Sequence, residues 1–195
     1  MEQVAIAERL QVEFPDEVLQ LHVFQGQVGV SIRPGRVVDI LRWLRDSDEL
    51  RMNHLRSLCG VDNARRKELG GERFEVVYHL YSITLRHEIR IRAQVPEAES
   101  CIDSVVCLWQ GANWPERETY DLMGIRFVGH PDLRRILLPE DWQGHPLRKE
   151  YPLKGKEEWA GMTELLTRIK ELDRFGFNPA AAASGQSDPS REKRP

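Results

Sequence analysis

Apolar residues in the first quarter of the chain follow a helical and then a strand-like spacing. Residues 3–12 carry apolar side chains three residues apart, which predicts a helix. Leu19–Phe24 and Gln27–Ile32 read as two strands joined by a Gln-Gly step, because the second alternates apolar with polar or small residues. Pro34 then opens a predicted helix over Arg36–Asp46, whose apolar residues line one face. The pattern therefore indicates a hairpin between two helices.

The middle of the chain predicts a second hairpin. Leu50–Val61 is compatible with a strand or a short helix, and we favour the strand. After a polar loop over 62–72, Phe74–Tyr81 is rich in aromatic and β-branched residues, and Arg86–Val95 alternates apolar with charged ones. Two such strands close in sequence form an antiparallel hairpin whose polar face is wet or covered by a partner. Ile102–Gln110 is expected to be a short buried helix.

These elements predict an α+β fold with a small mixed or antiparallel sheet and helices on one face. We expect that domain to span residues 1–112, followed by an extended, irregular C-terminal arm over 113–153. Residues 154–177 should contain an amphipathic helix, whose apolar stripe runs through Glu157–Asp173. Residues 178–195 are small, polar and interrupted by Pro and Gly, so we expect a disordered tail.

Residues 113–153 have a pattern unlike the rest of the chain. Five prolines and three glycines cut the segment into pieces too short for long helices or strands. One two-turn helix should begin at Pro115 and end at Gly124, and the following chain should be mostly extended. The many apolar residues of this arm need cover, and its mixed charges favour Arg–carboxylate pairs. We expect a partner protein to supply the missing cover; a self-packed loop is the alternative.

Composition and charge exclude several classes of protein. The chain has 195 residues, of which 41% are hydrophobic and 30% charged, so it is not an intrinsically disordered chain. Its net charge of −3 gives no basic field for nucleic acid. No apolar run approaches the ~18 residues that span a bilayer, and the charged N-terminus does not resemble a signal peptide. We therefore expect a soluble chain in the cytoplasm, with its three cysteines as free, buried thiols.

Candidate chemistry is sparse. Two His-Pro steps, at His130 and His145, could form a metal site with Asp132, Glu140 or Asp141, although the spacing matches no common ligand rule. The alternative is that each histidine bonds backbone carbonyl groups at a turn. Glycine-rich phosphate loops, dinucleotide fingerprints and nucleophile elbows are absent from the sequence. We therefore predict no catalytic, cofactor-binding or metal-binding residue in this chain.

The most specific feature is a set of motifs within the arm. The runs ERETYDLMGI (116–125), HPDLRRIL (130–137) and DWQGHPLRKEYPL (141–153) resemble the signature region of the 30 kDa subunit of respiratory complex I, whose counterpart in bacterial NADH:quinone oxidoreductase is designated C. CGVDN (59–63) and RFEVVYHLYS (73–82) extend the resemblance upstream. The signature and expected interface residues are Glu116, Arg117, Glu118, Asp121, His130, Arg134, Arg135, His145, Arg148 and Lys149.

The resemblance implies a subunit without a redox centre or active site of its own. Such subunits belong to the peripheral arm of a proton-translocating complex, on the cytoplasmic side of the cell membrane. They lie beside the 49 kDa-type subunit and neighbouring Fe-S subunits, and the FMN and Fe-S clusters that carry electrons from NADH to quinone belong to those partners. We expect Arg134, Arg135, Arg148 and Lys149 to pair with acidic groups on that neighbour.

Two other functions remain open at this point. Membrane-bound hydrogenases and deazaflavin- or ferredoxin-dependent complexes contain similar subunits, so neither the electron donor nor the quinone follows from this chain. From a different class, a stand-alone metallohydrolase would use His130, His145 and Asp132. The predicted helix over 157–173 also departs from the family, because many relatives continue there as an extended tail.

Overall fold

The computed structural model describes residues 2–65, 71–153, 159 and 161–172. The chain divides into two compact units, Met1–Lys154 and Gly155–Pro195, and each is described by itself. The predicted arm over 113–153 therefore lies in the same unit as residues 1–112.

The first unit contains three helices, seven strands and two short 3-10 helices among its described residues. The helices are α1 (Gln3–Glu13), α2 (Val37–Asp46) and α3 (Asn113–Met123), and the 3-10 helices are Pro34–Arg36 and Gln110–Ala112. The strands are β1 (Val18–Phe24), β2 (Gln27–Ile32), β3 (His54–Asp62), β4 (Phe74–Ser82), β5 (His87–Val95), β6 (Cys101–Asp103) and β7 (Arg126–Val128).

Five strands form one mixed sheet in the order β1-β2-β5-β4-β3. The β2–β5 pair is parallel, and the other neighbouring pairs of this sheet are antiparallel. The first hairpin turns at Gln25 and Gly26, whose φ angles of 50° and 78° are those of a tight hairpin turn. The structure thus confirms the α+β fold, the mixed sheet and both predicted hairpins.

Strand alternation separates a core face from an open face. Val30, Tyr78 and Ile91 lie side by side in the register and are fully buried, and α1, α2 and α3 contribute to the same hydrophobic core. The opposite side of the sheet carries the polar residues that alternate with them on β5, including Arg90 and Arg92, and we call it the open face. The helices therefore lie on one face of the sheet, as predicted.

Two helix predictions need correction. The helix expected over Ile102–Gln110 is wrong, because Cys101–Asp103 forms β6 and pairs in parallel with β7. A short apolar run gives the same burial signal in a strand and in a helix, so its spacing could not decide between them. The helix expected to begin at Pro115 starts two residues earlier and runs for 11 residues, longer than the predicted two turns.

The cysteines also differ from expectation. Cys59 and Cys107 are exposed and Cys101 is partly exposed, and all three are free thiols. Cys59 pairs in register with Val77 on the open face, so it is exposed although Leu58 beside it is buried in the core. The prediction of buried thiols is therefore wrong for Cys59 and Cys107.

The second unit contributes one described helix, α4 (Met162–Leu172). This helix lies within the predicted segment 154–177, and Trp159 and Gly161 precede it, although the predicted apolar stripe began at Glu157. Residues 154–158, 160 and 173–177 lie outside the described residues, as do loop residues 66–70 and the predicted tail over 178–195. Among the described helices of both units, none is long and apolar enough to span a bilayer.

Candidate docking site

The arm begins where α3 ends in a left-handed residue. Gly124 has a φ of 73°, a conformation that L side chains rarely adopt. A Cβ atom at this position would also lie 2.5 Å from Nε2 of His145 and 2.7 Å from Nη2 of Arg148. Glycine is therefore required at position 124 for two reasons: the positive φ of the turn out of the helix, and the close approach of the second half of the arm.

Asp121, near the end of α3, binds the backbone of the arm. Its carboxylate is fully buried, and its Oδ2 accepts hydrogen bonds from the backbone N–H groups of Ile136, Leu137 and Leu138 at 3.0, 2.8 and 2.9 Å. Its Oδ1 accepts a bond of 2.7 Å from Nη1 of Arg135. Burial alone would raise the pKa of Asp121, but these donors outweigh burial and leave the pKa below its ordinary value.

Arg135 connects two parts of the arm. Besides Asp121, it donates from Nη2 to the carbonyl oxygens of Trp142 and Gly144 at 3.1 and 3.3 Å, and its side chain is 14% exposed. All of these acceptors lie within this chain. The guanidinium group of Arg135 is therefore engaged within the chain beside a buried carboxylate. Its expected pairing with an acidic group on a neighbour stays a prediction.

The first half of the arm runs along α3 and contacts each of its turns. His130 bonds through Nε2 to the carbonyl oxygen of the first residue of α3 at 3.2 Å. One turn later, Arg117 donates to the carbonyl oxygens of Arg134 and Arg135 at 3.1 and 3.2 Å. One turn further lies Asp121 with its four donors. These contacts fix the arm on its own helix, although the buried Nε1 of Trp142, also in the arm, has no hydrogen-bond partner among the described residues.

The second half of the arm covers the carbonyl end of α3. His145 bonds through Nδ1 to the carbonyl oxygen of Asp121 at 2.9 Å, and Arg148 donates from Nε to that of Met123 at 2.7 Å. The guanidinium of Arg148 also lies 5.0 Å from the ring centroid of Phe74. Cationic groups are favourable at this end of a helix. These contacts engage Nε and the face of the Arg148 guanidinium, and its expected pairing with a neighbour stays a prediction.

Both histidines of the predicted metal alternative bond backbone carbonyl groups. Burial lowers the pKa of His145, and the nearby charges of Arg148 and Arg135 lower it further against its bond to Asp121, so its imidazole is neutral. Within residues 2–65, 71–153, 159 and 161–172, no group of three His, Cys, Asp or Glu side chains is placed to hold a metal ion. The geometry at His130 and His145 is that of the turn-forming alternative.

The end of the arm is fixed to the sheet by two residues that sequence reasoning did not single out. The buried carboxylate of Asp62 accepts a hydrogen bond of 2.8 Å from the backbone N–H of Lys149. It also forms an ion pair with Nη2 of Arg73 at 3.2 Å. Arg73 pairs in addition with Glu97 and Glu150. The available signal was the position of Asp62 and Arg73 inside the two upstream runs of the resemblance, 59–63 and 73–82.

Glu116 connects α3 to the segment after β6. It is fully buried and accepts hydrogen bonds from Oγ of Ser104 at 2.6 Å and from the backbone N–H of Val105 at 2.7 Å. Burial raises the pKa of Glu116 to about 7, although both hydrogen bonds favour the charged form. Its position in the helix and its partners indicate a structural role.

The remaining signature residues face solvent. Arg134 is exposed and forms an ion pair of 2.7 Å with Asp132, its neighbour in the arm, and Glu118 and Lys149 are exposed. The structure thus brings the ten predicted residues onto α3 and the arm, but it divides them. Most of them hold the arm in place, whereas Glu118, Arg134 and Lys149 remain at its surface.

Large apolar side chains of this region also point to solvent. Trp114 is 67% exposed and Leu137 is 61% exposed, and Leu147 and Leu153 are exposed as well. Trp114 lies seven residues before Asp121, on the side of α3 to which the arm is bound, and the backbone of Leu137 is bonded to Asp121. Exposed apolar side chains of this size are candidates for an interaction surface. We call Trp114, Leu137, Leu147 and Leu153 the arm surface.

Comparison with protein families gives a match over most of the chain. Residues 30–157 match the family described as "Respiratory-chain NADH dehydrogenase, 30 Kd subunit". A protein from Roseiflexus sp. (strain RS-1), named as the NADH-quinone oxidoreductase subunit designated C, is 50% identical over 160 residues, covering 82% of this chain and 89% of that one. Its counterpart of the same name from Geobacter sulfurreducens is 47% identical over 149 residues, covering 76% and 89%.

Solved structures show the same fold. A trypsin-resistant fragment of Nqo5 superposes with a TM-score of 0.59 at 29% identity, covering 68% of this chain and all of that fragment. A chain of the membrane-bound sulfane sulfur reductase, an archaeal respiratory membrane complex, superposes with a TM-score of 0.60 at 19% identity, covering 92% of this chain and 98% of that one. The second likeness concerns the fold alone.

Proposed function

The chain belongs to the family of the 30 kDa subunit of respiratory-chain NADH dehydrogenase, and from this we propose that it acts as the corresponding subunit of an NADH-quinone oxidoreductase. Its relatives, which are named as that subunit, support the assignment, and the resemblance of its arm motifs to that family is confirmed. A subunit of this kind works as one chain of a hetero-oligomeric respiratory complex.

We propose that its contribution is structural, with no active site in this chain. One observation supports this most strongly: the arm uses its buried charges to hold its own backbone, while Leu137, Leu147 and Leu153 face outward. An arm that is already ordered loses little conformational entropy on docking, so more of its contact energy is available for affinity. The arm surface is then the contact with the 49 kDa-type subunit and neighbouring Fe-S subunits.

The redox chemistry belongs, in this proposal, to the partners. FMN and Fe-S clusters in those subunits carry electrons from NADH to quinone, and the complex couples this transfer to proton translocation. The chain itself holds a position on the cytoplasmic side of the cell membrane as a peripheral subunit. The helices of the described residues, too short or too polar to cross a bilayer, are compatible with that position.

The direct test is affinity purification of the full chain from detergent-solubilised native membranes. We expect the co-purifying chains to include flavin- and Fe-S-containing subunits, and the purified material to reduce quinone with NADH. A nickel-binding large subunit among the partners would instead identify the related hydrogenase complex. Isolation of the chain alone, with bound metal and hydrolytic turnover, would contradict the proposal.

A further inference from the structure

The open face of the sheet contains an arginine without a carboxylate partner. Arg90, in the middle of β5, is half-buried, and its Nη2 donates to Oε1 of Gln27 at 2.6 Å. Its Nε is buried and has no hydrogen-bond acceptor. Among the residues that the structure describes, Arg90 takes part in no ion pair. Buried cationic donors are normally satisfied, so the missing acceptor needs an explanation.

The other charges around Arg90 are already paired. Glu88 accepts a bond of 2.5 Å from Nη1 of Arg56. Glu75 accepts bonds from Nε and Nη2 of Arg92 at 3.1 and 2.7 Å. Each of these pairs is neutral in itself. Among the described residues, this leaves Arg90 as a positive charge without a counter-charge on this part of the open face.

A small cleft lies beside Arg90, where β2 and β5 diverge. The parallel pairing of these strands is recorded from Gly29 with Arg90 onward, and the backbone N–H of Val28 bonds instead to Oε1 of Gln3 at 2.8 Å. The cleft has a volume of about 160 Å³, and Val28 and Ile89 give it an apolar wall. Pockets for cofactors and drug-sized ligands have roughly 300–1,000 Å³, so this one fits the end of a single side chain.

Two further donors line the cleft. His79 lies directly opposite Arg90 in the β4–β5 register. Burial lowers the pKa of His79, and the charge of Arg90 lowers it further, so the ring is neutral and retains one N–H donor. Gln27 uses its amide oxygen for Arg90, which leaves its NH2 group as a donor. Glu88 and Arg56 also line the cleft, but they are paired with each other and cancel in charge. The guanidinium of Arg90, with the imidazole and the amide, therefore suits the cleft to a carboxylate.

We propose that the Arg90 cleft, formed by Arg90, His79 and Gln27, receives an aspartate or glutamate side chain of a neighbouring subunit in the assembled complex. The inference rests on the proposed function, because it needs a partner chain. It adds a second contact on the side of the sheet opposite α3, separate from the arm surface. The incoming carboxylate supplies a counter-charge for the Arg90 guanidinium, which has none among the described residues, and the cleft is sized for one such group.

The test compares how firmly variants stay in the complex. Membranes expressing wild-type, Arg90→Gln, Arg90→Lys or Arg126→Gln chains are solubilised, and retention is followed from about 0.1 M to about 1 M KCl, over which the Debye length falls from about 10 to about 3 Å. Arg126 is an exposed cation on β7 and serves as the matched control. We expect Arg90→Gln to dissociate at about half the wild-type salt concentration, with Arg90→Lys intermediate and Arg126→Gln unchanged.

Isolated full-length chains provide the second readout. Because Arg90 has no ion pair among the described residues, we expect Arg90→Gln to keep the wild-type urea midpoint. A lower midpoint would show a role in folding and overturn the inference, as would wild-type retention of Arg90→Gln in the complex. Thermal stabilisation of the wild type, but not of Arg90→Gln, by millimolar glutarate would identify a site for free dicarboxylates and also overturn it. If the wild-type chain fails to co-purify at low salt, the proposed function fails too.

Discussion

The substitution Asp121→Asn tests whether one buried carboxylate holds the arm. It keeps the size of the side chain but removes the charge, and it replaces one acceptor oxygen with an NH2 group. In the native chain the carboxylate accepts three backbone N–H groups and one guanidinium N–H. Hydrogen bonds to a charged group exceed neutral ones by about 1 kcal/mol each, so four of them give a loss of about 4 kcal/mol.

A second estimate gives the same range. Breaking a buried ion pair from one side costs about 3–5 kcal/mol, because Arg135 keeps a charge without a counter-ion in a site where it is 14% exposed. We therefore expect Asp121→Asn to lose about 3–5 kcal/mol, out of the roughly 5–15 kcal/mol of a typical domain. Urea denaturation gives the free energy of unfolding, and limited proteolysis shows whether residues 136–144 become accessible.

Asp132→Asn is the matched control, because it removes the same kind of charge from the same arm. Asp132 is exposed and pairs with exposed Arg134, so its replacement should leave the urea midpoint and the proteolysis pattern unchanged. Equal effects of the two substitutions would refute the reasoning. A loss below about 1 kcal/mol for Asp121→Asn would do so as well, since that is the range of an ordinary hydrogen bond.

Three more predictions concern other parts of the first unit. The pKa of Glu116 is raised to about 7 from an ordinary 4.5, so between these pH values the folded chain retains a proton that the unfolded chain has lost. The free energy of unfolding should therefore fall by about 3 kcal/mol as the pH rises through this range. Glu116→Gln should abolish this dependence when urea denaturation at about pH 5 is compared with that at about pH 8. Gly124→Ala should cost more than about 1 kcal/mol and expose the arm to protease, because its φ is 73° and its Cβ would displace His145; an unchanged protein would contradict this. In the native chain Cys107 should react with a thiol reagent faster than Cys59: although Cys59 is exposed, partial desolvation of its thiol and the charge of Glu118 raise its pKa. The reverse order in single Cys→Ser variants would disprove it.

The sheet was predictable because its signals are local. In the β4–β5 hairpin, nine residue pairs follow one another without a register shift, and every second residue of β5 is buried, so alternation in the sequence maps directly onto the two faces. The segment at Cys101–Asp103 was not predictable in this way, since its pairing partner β7 lies more than twenty residues further on and its own length is three residues.

The arm was predictable in position but not in its contacts. Its prolines, glycines and motifs identified the segment 113–153, and the family resemblance identified Asp121 as a signature residue. Asp121 binds backbone N–H groups 15 to 17 residues later in the chain. Such contacts cannot be predicted from the sequence, because almost every residue type has a backbone N–H donor. The acceptors that Arg135 and Arg148 find within this chain left no signal for the same reason, since most of them are backbone carbonyl groups.

Incorporation of arm-surface variants into the complex tests most directly whether the chain docks through this surface. Trp114→Arg with Leu137→Asp changes two exposed side chains, and Val12→Asp changes an even more exposed apolar residue on α1. Each chain is expressed in cells lacking the native one, and its share of the purified complex is measured against that of the wild type. Loss of incorporation and of NADH:quinone reductase activity for the double variant, with normal values for Val12→Asp, is the predicted result. Normal incorporation and activity of a correctly folded double variant would contradict it.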